Sequence, residues 1–588
     1  MIKVIINNFC IFKLVTKTSP LRFPLEILTI CIKLFETYYV CILLWRWILD
    51  TIFYVHDFSA TAFLIMQYCI LRCACSILTS VVDQYFIPTN NTKVNKTFQE
   101  EIMSKASRIE IKYYEDKQFF DNYFYLLYKM PNIVLDAWRN ITNFVYSLAL
   151  IIIFTIISFQ YSAIVIICVL LQGIFQIFLS KKINDRNFTY NVATMPINKK
   201  DDYYHRLFYL VDYAKELRVY GARKFFIKKY LSVVDERVSV IKEYGFKLFV
   251  LRVFENFNSS MIFFTAIIII ILLTNNNIVL TVGIVFMLHG MFNEMSDSTM
   301  GLVNNLSQFH QNSQYISIYN DFMDIENEDK IKGITVNNIE FFEYDNVSFS
   351  YNKDSYALKN VCLKIYANET IAITGENGSG KSTLLKLLLR FYHPDSGYIK
   401  LNGIPVNEYN MRSYRDAFGA VFQDYNIYSF DISDNVLLGN SSVVDDVIVS
   451  DSLKTVGLYR KVSQFPNGVH TQLTNEFDND GISLSGGENQ KLSIARVIAS
   501  NRKVLVLDEP SSALDPISES EILQQIYSLS KEKTTFIISH KLSTTINADR
   551  IIYLEKGEIA EIGTHKELMR KKGKYYSMFK IQSDSYLD

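Results

Sequence analysis

The chain has no excess of charge of either sign: 60 Lys+Arg residues are balanced by 60 Asp+Glu. Zero net charge gives no electrostatic footprint for a nucleic-acid partner or a basic membrane-surface peptide. Glycine and proline are scarce, 22 and 10 in 588 residues, which excludes collagen-like and linker-rich architectures. Only 20% of residues are charged while 49% are hydrophobic, so the chain lies far from the disordered class and can bury large cores. A secretory signal is also missing, because Lys13 and Lys17 interrupt the first apolar stretch and no small-residue cleavage site follows. Cys69, Cys73 and Cys75 cluster, but no histidine or carboxylate accompanies them. Buried packing is therefore the reading, rather than a metal or disulfide. At roughly 150 residues per domain, the length implies more than one domain.

What is present divides the chain in two. Of the 22 glycines, 6 precede residue 331 and 16 follow it. The glycine-poor half holds six apolar stretches, about 24–45, 59–82, 137–158, 161–181, 250–273 and 278–299. Each is near the ~20 residues that cross a bilayer, and a bilayer forces such spans to be helical. Spans three and four are linked by little more than Phe159 to Tyr161, and spans five and six by Asn275 to Asn277. The long connections after spans two and four are rich in Lys and Arg, among them Lys181, Lys182, Arg186, Lys199 and Lys200. Positive charge stays cytoplasmic, which places both termini inside. The long connections read as helical extensions of the spans, with Tyr213–Tyr230 alternating apolar and basic residues at helical spacing. Within the spans, Lys33 and Glu36, with Glu26 two turns earlier, and then Arg252 and Glu255, either line a water-filled path, neutralise each other as i, i+3 pairs, or snorkel near the interface.

The second half carries recognisable chemistry. An apolar run ending at Thr374 leads into Gly375-Glu376-Asn377-Gly378-Ser379-Gly380-Lys381-Ser382-Thr383, and a helical pattern follows. Strand, glycine loop and helix in this order form a phosphate-binding loop: backbone N–H groups turn inward and the helix N-terminus adds positive potential. Lys381 would reach the β- and γ-phosphates and the Ser382 hydroxyl would ligate Mg²⁺. Val504 to Leu507 is a second buried strand, ending in Asp508-Glu509. Asp508 suits a Mg²⁺ partner and Glu509 a general base for the attacking water.

Between them lies Leu484-Ser485-Gly486-Gly487-Glu488, which resembles the signature of ATP-binding cassette (ABC) ATPases in a Glu-containing variant. Tyr351 resembles the adenine-stacking aromatic residue, and Gln423 the Q-loop glutamine that joins Ser382 and Asp508 around the metal. Ser511-Ser512-Ala513-Leu514-Asp515 resembles the D-loop, and His540 the switch histidine. The resemblance implies a membrane α-helical domain at 1–325, with six transmembrane helices and long cytoplasmic extensions. An α/β P-loop NTPase domain of the ABC type follows at 326–588. This is the half-transporter layout of ABC exporters, and resembles bacterial exporters of peptides, lantibiotics or drugs. Two chains then form the working unit, a homodimer or a heterodimer with a second half-transporter, in which Ser485 and Gly487 act on the ATP held by the partner. Segments Tyr113–Asp121 and Tyr220–Lys229 resemble coupling helices. The implied activity is ATP-driven export of a peptide, lipid or amphipathic small molecule across a bacterial plasma membrane. The alternative is a membrane-anchored ATPase that regulates or assembles a partner. No peptidase segment is expected before the first span, so leader cleavage is not.

Overall fold

The computed structural model describes residues 2–159, 163–274, 281–328, 333–352, 355–438, 445–541 and 544–584. The chain divides into two compact units: residues 1–106 with 121–325, and residues 107–120 with 326–588.

The first unit is helical. Its principal helices are Ile2–Thr18, Arg22–Val55, Phe58–Ala106, Lys117–Phe159, Ala163–Tyr209, Arg223–Thr274 and Val282–Asp324. The 52 residues of Arg223–Thr274 extend about 78 Å at 1.5 Å per residue, against about 30 Å of bilayer hydrocarbon. Such helices must continue well past any membrane they enter. Outside the apolar stretches, Ala163–Tyr209 and Arg223–Thr274 are pinned together by Lys200–Glu236 at 2.7 Å and Arg237–Asp201 at 3.1 Å. Among the described residues, three helices are long and apolar enough to cross a membrane: Arg22–Val55, Phe58–Ala106 and Met130–Ile157. Val282–Asp324 is not among them, and it carries Glu294 and Asp297 within the expected sixth span. The tight links at 160–162 and 275–277 lie outside the described residues, as do the side chains of 258–274.

Two sequence expectations change here. Tyr213–Tyr230 is not one helix: Val211–Val219 ends at a turn around Gly221, whose φ of +56° favours glycine, and a new helix starts at Arg223. The short separate helix is therefore Val211–Val219, and Tyr220–Lys229 holds the turn and the start of the long one. Lys33 and Glu36 do not neutralise each other either. Lys33 pairs with Asp83 at 3.4 Å and Glu36 with Arg72, both on the next helix. Arg252 and Glu255 do pair at 2.7 Å, and Gln176 adds a bond to the buried Glu255. Cys75 is buried, whereas Cys69 and Cys73 face outward.

The second unit is built on two sheets. The antiparallel one has the order β2-β1-β4-β5, from Phe341–Phe349 (β1), Leu358–Tyr366 (β2), Ser396–Leu401 (β4) and Ile404–Pro405 (β5). The other has the order β10-β9-β3-β8-β7-β6. It consists of Thr370–Gly375 (β3), Phe418–Val421 (β6), Val504–Asp508 (β7), Thr534–Ile538 (β8), Arg550–Glu555 (β9) and Glu558–Gly563 (β10). Strands β9, β3, β8, β7 and β6 run parallel, and β3, β7 and β8 are buried along their whole length. That is the burial expected of a parallel sheet covered on both faces, and it explains why these strands read as continuous apolar runs. One core joins the two sheets around Phe342, Tyr344, Ile373, Val506 and Phe536. A second lies under the signature helix around Leu492, Ile494, Leu505 and Ile537. The short segment Lys112–Glu115 also belongs to this unit, where the Tyr392 hydroxyl donates to Glu115.

Candidate nucleotide site

Open parallel sheets place ligands at the carboxyl ends of their strands. Here four neighbouring strands, β3, β8, β7 and β6, each deliver functional residues at that edge. After β3 comes the glycine loop and the helix Lys381–Leu388. After β8 comes His540, after β7 Glu509, and two residues past β6 comes Gln423. Tyr351 and His540, 189 residues apart in sequence, thereby share one cleft of about 680 Å³. Its lining includes Tyr351, Asn377, Gly378, Gly380, Lys381, Ser382, Thr383, Gln423, Glu509 and His540. A larger cavity of about 1050 Å³ lies behind the helix Pro516–Ser530, but it gathers none of these groups.

The loop closes around its own lysine. Lys381 is buried, and its Nζ donates to the carbonyls of Gly375 at 3.0 Å and Glu376 at 2.8 Å. Burial lowers its pKa from the ordinary lysine value, while Glu509 and Asp508 work against that shift. Ser379 is buried with an Oγ that makes no hydrogen bond. An unmade bond at a buried hydroxyl is costly, and a phosphate oxygen would relieve it. Tyr351 leans over the rim, its hydroxyl 3.3 Å from Thr383 Oγ1.

At the other wall, Glu509 is the centre. Gln423 Nε2 donates to its Oε2 at 3.3 Å, and His540 Nε2 lies 3.1 Å from its Oε1. Burial, then repulsion from Lys381, holds His540 below the usual imidazole pKa, so it is neutral at pH 7. Asp508 is buried, and burial pushes its carboxyl up even though the Ser382 side chain hydrogen-bonds to it. A buried carboxylate facing a hydroxyl, with an amide oxygen from Gln423 in the same cleft, is a hard-oxygen donor set that fits Mg²⁺.

The signature and D-loop residues are elsewhere. Leu484, Ser485, Gly486, Gly487 and Glu488 are absent from the cleft's lining, and so are Ser512, Ala513, Leu514 and Asp515. Ser485 caps the helix Gly486–Ser500 in a capping box: its Oγ accepts from Glu488 N at 3.4 Å, and Glu488 Oε2 accepts from Ser485 N at 2.8 Å. Burial works to raise the Glu488 pKa, but hydrogen bonds from Lys461 and Ser485 outweigh it and the net shift is downward. A carboxylate at this position therefore stays ionised beside the helix N-terminus. Asp515 caps the next helix, accepting from Ile517 N at 3.1 Å and Ser518 N at 3.0 Å.

The family comparison agrees with this geometry. Residues 358–512 match the ABC transporter family model. That segment is similar to ABC transporters, and the chain as a whole has a helical unit followed by an α/β unit. That fold is shared with a bacterial Atm1-family ABC exporter solved with ATP bound. The TM-score is 0.79 at 20% identity, over 95% of this chain and 98% of that one. A Bacillus subtilis protein provisionally named as a multidrug export ATP-binding/permease protein is 37% identical over 52% of this chain and 52% of its own length. A Staphylococcus aureus protein with the same provisional description is 40% identical over 41% of each chain. The chain thus matches about half the length of these curated relatives, or less.

Three residues of this unit are tied to the site by bonds that sequence reasoning did not find. Gln490 is 1% exposed and bonds to both Glu509 and the D-loop. Lys541, next to His540, donates to Glu519 Oε2 at 2.7 Å, and Glu519 Oε1 accepts from the buried Ser511 hydroxyl at 2.7 Å. Tyr425, two residues past Gln423, donates to the Gly486 carbonyl at 3.0 Å. No local motif marks these partners, because each bond joins segments remote in sequence.

Proposed function

We propose that this chain hydrolyses ATP and couples hydrolysis to export of a peptide, lipid or amphipathic small molecule, as one half of a dimer in a bacterial plasma membrane. The observation that carries the reading is the division of residues just described. The base, glutamine, histidine and phosphate loop meet in one cleft, while the signature is absent from its lining. A site so divided is completed by a second copy, and a two-fold axis makes two such sites from one sequence. In each, Ser485 and the helix N-terminus behind it present a further anion site to the phosphate held opposite.

Within the cleft, Lys381 and the loop N–H groups bind the β- and γ-phosphates, and Tyr351 stacks on the adenine. Ser382, Asp508 and Gln423 would hold a Mg²⁺ ion, which would supply neutralisation of the phosphate charge. Glu509 orients the attacking water and takes its proton at the carboxylate. Neutral His540 donates through Nε2 and holds the phosphate being transferred. The D-loop, Ser512 to Asp515, lies at the junction of the two copies. Closure of the dimer draws the long helical extensions together, and hydrolysis releases them. Six spans with both termini cytoplasmic is the topology that suits this cycle.

The test is ATP turnover by the purified full-length chain in lipid nanodiscs, with peptides, lipids and cationic or neutral amphiphiles added in turn and Lys381→Ala as the blank. Turnover that one class stimulates, followed by its ATP-dependent uptake into inverted vesicles, is the expected result. Turnover that no solute changes, with no uptake, would remove export. Silence from a folded chain that binds ATP would mean that the partner is a different chain.

A further inference from the structure

Glu509 adopts a φ of +49°, in the left-handed region that a residue with a side chain enters at a cost. Something must hold it there, and its backbone bonds show what does. Its N–H donates to the Ile538 carbonyl at 3.0 Å, which fixes it to β8. Its carbonyl accepts from Gln490 Nε2 at 3.0 Å and, across a turn, from Ser512 N at 3.3 Å. The same nitrogen donates to Ser512 Oγ at 3.2 Å, and Gln490 Oε1 accepts from Ala513 N at 2.9 Å. One buried amide therefore makes three hydrogen bonds, all to the five residues from Glu509 to Ala513. No other described side chain bonds the Glu509 main chain.

Gln490 sits on the helix that Ser485 caps, five residues or about 7.5 Å along its axis. A helix is stiff over this distance, so a displacement of its N-terminus is carried to Gln490 and from there to the Glu509 carbonyl. We infer that Gln490 is a positioning residue: it sets the backbone of the base, and it links the signature, which serves the partner's ATP, to the base that serves the chain's own. The inference rests on the ATPase and dimer reading above.

The experiment compares the full-length chain in nanodiscs with Gln490→Leu and Gln490→Glu. Leucine matches the volume and removes all three bonds. Glutamate keeps an acceptor for Ala513 N and removes both donors at neutral pH. Both variants should bind ATP within about twofold of the parent, since neither touches the loop, and both should lose at least tenfold in kcat. The Hill coefficient of turnover against ATP should fall toward 1. Parental kcat and cooperativity in the glutamate variant would overturn the inference, whether or not the leucine variant folds. So would an equal loss of ATP affinity and kcat, which is what general unfolding gives. An inactive parent would instead count against the ATPase reading itself.

Discussion

The glycine loop gives a prediction whose size follows from the geometry. Gly378 and Gly380 both lie in the left-handed region, at φ +77° and +103°. Alanine at either position meets the same class of backbone penalty, about 1–2 kcal/mol. The space around them differs. A Cβ on Gly378 has nothing within 4 Å, whereas one on Gly380 would lie 2.5 Å from the Ala357 carbonyl oxygen and 2.8 Å from Leu358 Cδ2. Neither neighbour can retreat cheaply, since Ala357 O is backbone and Leu358 is fully buried. Overpacking of this kind adds about 1–3 kcal/mol. Expressed through the population of the binding-competent loop, Gly378→Ala should weaken ATP affinity by at most about 30-fold. Gly380→Ala should weaken it by a further factor of about 5 to 150, at 1.4 kcal/mol per decade. Equilibrium binding of a fluorescent ATP analogue to the full-length chain measures both. An affinity in Gly378→Ala equal to or lower than that of Gly380→Ala would refute the reasoning, because it would mean that the neighbours of the loop do not set its shape.

Further predictions concern the other wall of the site. Glu509→Gln keeps the size of the side chain and leaves the three hydrogen bonds to the backbone of residue 509 in place. ATP affinity should stay within a few-fold while turnover falls about 10²–10⁴-fold, read by phosphate release; near-parental turnover would remove Glu509 as the base. The pKa of His540 lies below the ordinary imidazole value of 6.5, so as pH rises the ring becomes neutral in the fold before it does so in the unfolded chain. Its contribution to stability is then present above pH 6.5 and is lost as pH falls through the lower folded value. Turnover should accordingly show no His540 inflection above pH 6.5, and one lying higher, absent in His540→Gln, would contradict the assignment. Lys541→Ala strands the buried Glu519 carboxylate. Discounting for the partly exposed lysine, it should cost about 1–2 kcal/mol, recovered by Lys541→Arg, in thermal unfolding of the cassette.

Local chemistry was legible in the sequence, and distant pairing was not. The phosphate loop announces itself because strand, glycines, lysine and helix are contiguous, and β3, β7 and β8 do so because a sheet buried on both faces needs unbroken apolar runs. Gln423 and His540 could be named only through family resemblance, since nothing beside them in sequence shows that β6 and β8 bring them to Glu509. The bonds of Gln490 and Lys541 had no signal at all: their partners lie 19 to 23 and 22 residues away, on other elements. Helical periodicity failed for a related reason. It sees neighbours on one helix, so it paired Lys33 with Glu36, while the partners Asp83 and Arg72 come from the next helix. It also ran through Gly221, where the backbone turns.

The central claim is that each ATP site is shared between two copies, and complementation tests it most directly. Lys381→Ala destroys the phosphate loop and Ser485→Arg blocks the signature, so each variant alone should be silent in ATP turnover. Co-expressed and purified through a different tag on each variant, every mixed dimer holds one site in which both parts are intact. The account predicts that turnover returns, at about half of the parental value if the two sites work independently. Mixed dimers as silent as either variant alone would contradict it.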